Sequence, residues 1–359
     1  MCDMEDQNRI FPIYELSGTY FEMGRQYGEQ CKEQIKHMVQ WWIDVILGLW
    51  PNIEPQAMIK HSSQFAEPIK AYAPELFEQM EGIAEGSGCT LNEILFLNGA
   101  CEFDAGGSAL MGCTSFAAAG EATKDGKTIL GQNLDWNPGS DVVVLRLKPK
   151  NGPKMLALTL AGSLGMVGIS ETGVSVFINL LLRSNATFGV PFNVITANVL
   201  RQKNLVDCIR AISQAKRAIA FNYMLADKEG SIIDVETAVE NCGFLLPHND
   251  ILTHANHYET VWLQEGDLNQ YSSFPDSYLR SYRLAQLMEK KRGALCVDEM
   301  KLMLQDHRDW PDSICRHCDM TGPVAERFES SISMIAVPED GKIFATSNPC
   351  VNPYSVYTI

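Results

Sequence analysis

The segment Met111-Gly112-Cys113-Thr114-Ser115 carries the sharpest chemistry in the sequence. It lies where a small-residue stretch, Asp104-Ala-Gly-Gly-Ser108, gives way to strand-like residues. A cysteine that opens a strand has its thiol fixed by the sheet. The glycine before it tolerates strained backbone angles. Together they suit attack of the thiol on the carbonyl of the preceding peptide. An N-to-S shift then gives a thioester, and hydrolysis leaves Cys113 as a new N-terminus. The freed α-amino group has an unperturbed pKa of about 7.7–8.0, so it can serve as base for its own thiol. Gly-Cys is a common dipeptide, however. Taken alone, one more buried cysteine explains it better.

Two other groupings offer different chemistry. Cys315-Arg-His-Cys318 is a C-x-x-C pair, a redox motif or half of a zinc site. A redox reading needs a surrounding βαβ unit, whereas Asp309 to Pro323 reads as loop. A zinc reading needs His307 and His317, brought in by tight folding. His254 and His257, in Thr253-His-Ala-Asn-His257, form an H-x-x-H pair without the rest of a closed zinc set. They read as support for their own loop. No metal and no cofactor are therefore expected. The rival to a catalytic thiol is a non-catalytic binding protein, or a redox or metal-binding protein that uses Cys315 and Cys318.

The context of Cys113 decides between these. The run Cys113-Thr-Ser-Phe, followed by Asp125-Gly-Lys-Thr-Ile-Leu-Gly131-Gln-Asn-Leu-Asp135-Trp136, resembles the nucleophile region of the penicillin acyltransferase family. That family belongs to the N-terminal-nucleophile hydrolases and is related to choloylglycine hydrolases. Further segments are similar in order and spacing over nearly the whole chain: Leu16 to Gly28, Gly168 to Gly173 with Asn179, Gly189-Val-Pro-Phe192, Asn222 to Asp227, Thr253 to His257, and Ile314-Cys-Arg-His317. Each is weak alone; their number and order are specific.

The resemblance implies self-cleavage between Gly112 and Cys113, giving fragments of about 12 and about 27 kDa by chain length. It makes Cys113 the nucleophile. Asp135 becomes the carboxylate that holds the new α-amino group, and Asn256 the oxyanion-hole amide. Asn179 matches an asparagine near the scissile carbonyl, and Arg283 an arginine near the nucleophile. Choloylglycine hydrolases carry an arginine where this chain has Gln132, which places the chain with the acyltransferase branch. Ala345-Thr-Ser-Asn-Pro-Cys350 lacks a glycine expected before Pro-Cys, so the pocket wall there differs. The implied substrate is a small N-acyl amide or an acyl-CoA-like molecule, resolved from the thioester by water or by an amine. The two cleaved fragments are expected to stay associated, and a homo-oligomer is compatible.

The elements that must position these residues follow from patterning. Capping boxes at Thr19/Glu22 and Thr90/Glu93 open helices. Apolar residues recur at helical spacing from Phe21 to Leu49, where Pro51 stops the run, and Pro74 opens a helix that ends near Gly86 and Gly88. From Cys113 the texture becomes β. Strands are expected at 115–119, 127–132, 142–147, 155–160 and 174–181, with hairpin signals at Asp125-Gly126 and Asn151-Gly152. Helices return over 191–217, strands over 223–226 and 232–236, and a helix over 275–290. A hairpin over 331–345 closes the chain.

That order predicts an α+β layered fold of antiparallel sheets with helices outside. The resemblance sharpens it to a four-layer αββα sandwich, with a helical segment 1–112 and a catalytic unit 113–359. With 359 residues, a sizeable core is available. A net charge of −15 without a basic cluster argues against nucleic-acid binding. No apolar run is long enough to span a bilayer. The acidic start MCDMEDQNRIF has no secretory pattern, and eleven irregularly spaced cysteines read as a reducing, cytoplasmic setting.

Overall fold

The computed structural model describes residues 10–104, 112–271, 275–318, 321 and 327–359. Met111, and the stretch read over 104–108 apart from Asp104, lie outside these. The strands are β1 (Ile13–Gly18), β2 (Gly112–Ala118), β3 (Ile129–Trp136), β4 (Val142–Pro149), β5 (Met155–Leu160), β6 (Val167–Ser170) and β7 (Ser175–Leu180). They continue with β8 (Phe221–Ala226), β9 (Ile232–Thr237), β10 (Cys242–Leu245), β11 (Ile251–His254), β12 (Glu329–Val337), β13 (Lys342–Thr346) and β14 (Ser355–Thr358). The helices are α1 (Tyr20–Gln30), α2 (Lys32–Leu49), α3 (Pro55–His61), α4 (Ala66–Tyr72), α5 (Pro74–Ser87) and α6 (Leu91–Asp104). Then come α7 (Phe192–Leu200), α8 (Leu205–Gln214), α9 (Val261–Gln264), α10 (Asp276–Lys290) and α11 (Val297–Met303).

Two sheets stack face to face. One orders its strands β1-β4-β5-β6-β7-β8-β9-β10, the other β11-β2-β3-β12-β13-β14. Helices α1, α7 and α8 cover the outside of the first, and α10 and α11 the outside of the second. The layers are therefore helix, sheet, sheet, helix. The alternation of side chains along a strand serves both interfaces at once. On β2, Cys113 and Ala117 join the large core shared by the two sheets and the N-terminal helices. Phe116 and Ala118 face the other way, into a second core with Leu284, Met288 and Met300 of α10 and α11.

The expected antiparallel pairing holds except at one place. β1 pairs with β4 in parallel, as an edge strand that the N-terminal segment adds to the eight-stranded sheet. The segment 1–112 is thus not purely helical, and one core draws on residues from Phe11 to Tyr357. The single helical run expected from Phe21 to Leu49 is two helices, because Cys31 leaves helical angles and buries its side chain. The expected capping box at Thr19 and Glu22 is formed.

Helices α1 and α5 touch backbone to backbone. A methyl group added at Gly24 would lie 2.0 Å from the Gln79 carbonyl oxygen, and one at Gly82 would lie 2.2 Å from that of Phe21. No rotamer change relieves a clash with backbone. Gly24→Ala is therefore expected to lower unfolding free energy by at least about 1–3 kcal/mol. The midpoint of a urea titration at unchanged m-value reads this directly. Farther along the same layer, α2 lays Trp42 edge-on against Trp136, the last residue of β3, with ring centroids 5.5 Å apart. The N-terminal helices therefore buttress the strand end that carries Asp135.

Candidate active site

β2 and β3 are antiparallel neighbours in the six-stranded sheet, and their register sets Gly112 opposite Asp135 and Cys113 opposite Leu134. Cys113 is fully buried. Its amide N–H donates to Asn256 Oδ1 at 2.8 Å. Its carbonyl accepts from Arg280 Nη1 at 2.5 Å, and the same nitrogen donates to Thr114 Oγ1 at 2.8 Å. Arg280 Nη2 donates to Asn256 Oδ1 at 3.0 Å, while Asn256 Nδ2 donates to the Leu180 carbonyl at 3.0 Å. Two donors on one side of the Asn256 amide and an acceptor on the other fix its orientation. The Asn256 side chain also hydrogen-bonds the Cys113 thiol.

Burial pushes the Cys113 thiol up to about 12, and the Asp135 charge adds to this. The Leu180 peptide, Arg280 and Asn256 pull it the other way. In the intact chain the thiol is therefore protonated at neutral pH.

Asp135 is also fully buried. Its Oδ1 accepts from Ser330 Oγ at 2.7 Å, and Oδ2 has no hydrogen-bond partner among the described residues. A methyl group added at Gly112 would lie 3.0 Å from that oxygen. At Gly112 a side chain would crowd the carboxylate, so the glycine leaves room beside Asp135. Burial raises the Asp135 pKa, opposed by the charges of Arg316 and Arg280 and by the Ser330 bond. Those two arginines share Asp276, whose Oδ2 lies 2.7 Å from Arg280 Nε and 2.7 Å from Arg316 Nη2.

Asn179 lies between the sheets on the Cys113 side. Its Oδ1 accepts from Ser115 Oγ at 2.7 Å and from Asn222 Nδ2 at 3.1 Å. Its Nδ2 is buried without a partner among the described residues, as is Gln132 Nε2, whose Oε1 holds the Ile178 N–H. Two amide donors are thus left over on the strands around the nucleophile. Buried donors are normally satisfied, so such a pair marks a place for a ligand or water.

His254 and His257 support their loop, as expected. His254 Nε2 meets Glu236 Oε1 at 2.8 Å with both side chains wholly buried, and His257 Nδ1 meets Ser277 Oγ at 2.7 Å. Burial alone would push His254 down. Its bond to Glu236 and the nearby charges of Asp234 and Glu259 win, and raise it from 6.5 to about 10. The stability this pairing supplies is complete below about pH 6.5 and is lost as pH rises through about 10. In Glu236→Gln that slope should be gone, with a loss of about 3–5 kcal/mol at neutral pH because the buried His254 has lost its carboxylate partner. Urea unfolding of both proteins across this window measures it.

One expectation is corrected. Arg283 is not brought to the nucleophile: it pairs with Asp306, Nη2 to Oδ2 at 2.6 Å. The arginine at Cys113 is Arg280, on the same helix. The signal was present in the spacing. Buried positions on α10 are Ser277, Arg280, Ser281, Leu284 and Met288, an i, i+3/i+4 stripe that Arg283 falls off. Ser330, Asp276 and Arg316 were also missed. Ser330 touches Asp135, and Asp276 links Arg280 to Arg316; Arg316 lies in the Ile314–His317 segment, while no local pattern marks the other two.

A sequence model of the acyl-coenzyme A:6-aminopenicillanic acid acyl-transferase family matches residues 122–324, more than half of the chain. The chain belongs to this family. A relative in the family is the "Acyl-coenzyme A:6-aminopenicillanic-acid-acyltransferase 40 kDa form" of Emericella nidulans, 25% identical over 306 residues that cover 83% of each chain. Among solved structures, the C2A mutant of the conjugated bile acid hydrolase from Clostridium perfringens aligns at 14% identity with a TM-score of 0.48, covering 69% of this chain and 97% of the other. Penicillin V acylase from Agrobacterium tumefaciens aligns at 14% identity and 0.46, covering 68% and 84%. Membership of the acyl-transferase family makes the chain an enzyme of the acyl-transferring class. Among the described residues, no helix is long and apolar enough to cross a membrane.

Proposed function

We propose that the chain is an autoprocessed cysteine amidohydrolase or acyltransferase acting on a small N-acyl amide or an acyl-CoA-like substrate. Cys113 Sγ attacks the Gly112 carbonyl carbon. The Gly112–Cys113 C–N bond breaks, the nitrogen takes up the thiol's proton, and a thioester remains. Water then cleaves the thioester, leaving a Gly112 carboxylate and a free thiol on a new N-terminal Cys113. In turnover the same thiol takes the acyl group of the substrate and releases its amine or thiol. Water or an amine acceptor then discharges the acyl-enzyme.

The observation that carries this reading is the unpartnered Oδ2 of Asp135, buried against Gly112. A buried carboxylate oxygen without a partner is costly. It gains one if the neighbouring amide becomes an ammonium group. The negative charge would hold that ammonium and raise its pKa. Asn256, already on the Cys113 amide and on its thiol, supplies an N–H to the oxyanion. Asn179 Nδ2 is the proposed second donor to the substrate carbonyl. Arg280 is proposed as a positioning residue for Cys113 and Asn256, at the place near the nucleophile that the resemblance implied for Arg283.

The test is capture of the acyl-enzyme. The chain is mixed with a panel of chromogenic N-acyl amides, quenched in acid and weighed. The larger fragment should carry the acyl mass on Cys113, and hydroxylamine should remove it as the hydroxamate. Turnover of an amide with Cys113 alkylated beforehand would overturn the proposal.

A further inference from the structure

We propose that His307, Cys315, His317 and Cys350 form a structural zinc site. The sequence offered Cys315 and Cys318 as a pair. The fold instead gathers Cys315 with Cys350, from the β13–β14 loop, and with both histidines. The four ligand atoms all lie within 4.8 Å of one another. His307 Nε2 and His317 Nε2 are 2.9 Å apart, and each thiol sulfur is 3.7 Å from His317 Nε2.

Protons cannot serve this cluster. One ring nitrogen, with one proton or one lone pair, faces three partners. A cation at the centre serves all four at once. Tetrahedral zinc with bonds of about 2.3 Å to sulfur and about 2.0–2.1 Å to nitrogen sets nitrogen–sulfur separations near 3.5 Å and nitrogen–nitrogen separations near 3.3 Å. The three separations to His317 Nε2 are close to these, and side-chain rotations that draw in the widest pair, within 4.8 Å, complete the geometry.

The donor set chooses the metal class. Two thiolates and two imidazoles, with no carboxylate, suit zinc rather than calcium, magnesium or manganese. Two thiolates also balance a divalent charge, which a half-buried site needs. With four protein ligands the site is closed, and so structural rather than catalytic.

The surroundings are already tied for it. Gln305 Nε2 donates to the Pro349 carbonyl at 2.9 Å, joining the two ligand-bearing loops, and Ser313 Oγ donates to the Cys315 carbonyl at 2.6 Å. Arg316, between two of the ligands, gives its amide N–H to Ser330 Oγ at 2.9 Å, and Ser330 holds Asp135. The metal would thus fix the loop behind that carboxylate.

The test uses the full chain, reduced, stripped with a chelator and titrated with zinc against a chromophoric competitor. One zinc per chain is expected. Cobalt in its place should show thiolate charge-transfer absorption and tetrahedral d–d bands. Cys350→Ser should weaken zinc binding by at least about 100-fold, and Cys318→Ser should leave it unchanged. His307→Gln, at an exposed position, gives a ligand variant whose fold is not at risk and should also weaken binding. The proposal is overturned if the reduced, folded chain binds no zinc. It is equally overturned if His307→Gln and Cys350→Ser bind as the parent does. Recovery of Cys315 and Cys350 as a disulfide from chain purified with zinc present overturns it too.

Discussion

Asn256→Ala is expected to lower kcat by about 10²–10³ while KM changes little. Asn256 stands where three groups of the site meet: the Cys113 amide, the Arg280 guanidinium and the Leu180 carbonyl. Its Nδ2 donates to Leu180, and the side chain also reaches the Cys113 thiol, where the oxyanion would form. A donor held rigidly on both sides favours a charge that develops only in the transition state, so its loss falls on kcat rather than on binding. Steady-state kinetics on a chromogenic N-acyl amide separate the two. An equal loss in kcat and in KM would mean that Asn256 only shapes the pocket. Asn256→Asp keeps the shape but presents no amide donor, and should be as slow as the alanine variant.

Asp135→Asn is expected to lower kcat/KM by about 10²-fold or more, the low end for a displaced general base. The direction of its pH effect is fixed by charge. In the parent, Asp135 stabilises the ammonium form of the proposed α-amine and holds its pKa up. Without that charge the amine loses its proton at lower pH, so the ascending limb of kcat/KM should move to lower pH by about one unit. Stability of the uncleaved chain should move the other way from activity: there the neutral amide takes away a buried charge whose Oδ2 has no partner among the described residues. A variant that is slower, no less stable and shifted in its pH profile marks a positioning role that a merely structural aspartate would not show. An unshifted profile would contradict it.

The layered fold was legible because its elements announce themselves locally. The Thr19–Glu22 box, the Asn151-Gly152 turn and the run Val174 to Leu181 each act through near neighbours, and each stands where it was expected. The parallel strand β1 was not legible. Its partner β4 is more than a hundred residues away, and six residues at a sheet edge, of which only Leu16 is buried, carry little alternation. The same contrast holds in the site. Cys113, Asp135 and Asn256 sit in motif-bearing segments and converge. Arg280 was within reach, since the α10 stripe distinguishes it from Arg283. Ser330 and Cys350 were not. Each is placed only by pairing between distant strands or loops, which no sequence window contains.

The most direct test of the central claim is the intact mass of freshly purified, denatured protein beside Cys113→Ala. Self-cleavage predicts fragments of about 12 and about 27 kDa in the parent, the larger beginning at Cys113, and a single species of 39.9 kDa in the variant. A single 39.9 kDa species in an enzymatically active parent would contradict the account. Fragments in Cys113→Ala would do the same, because cleavage would then come from elsewhere.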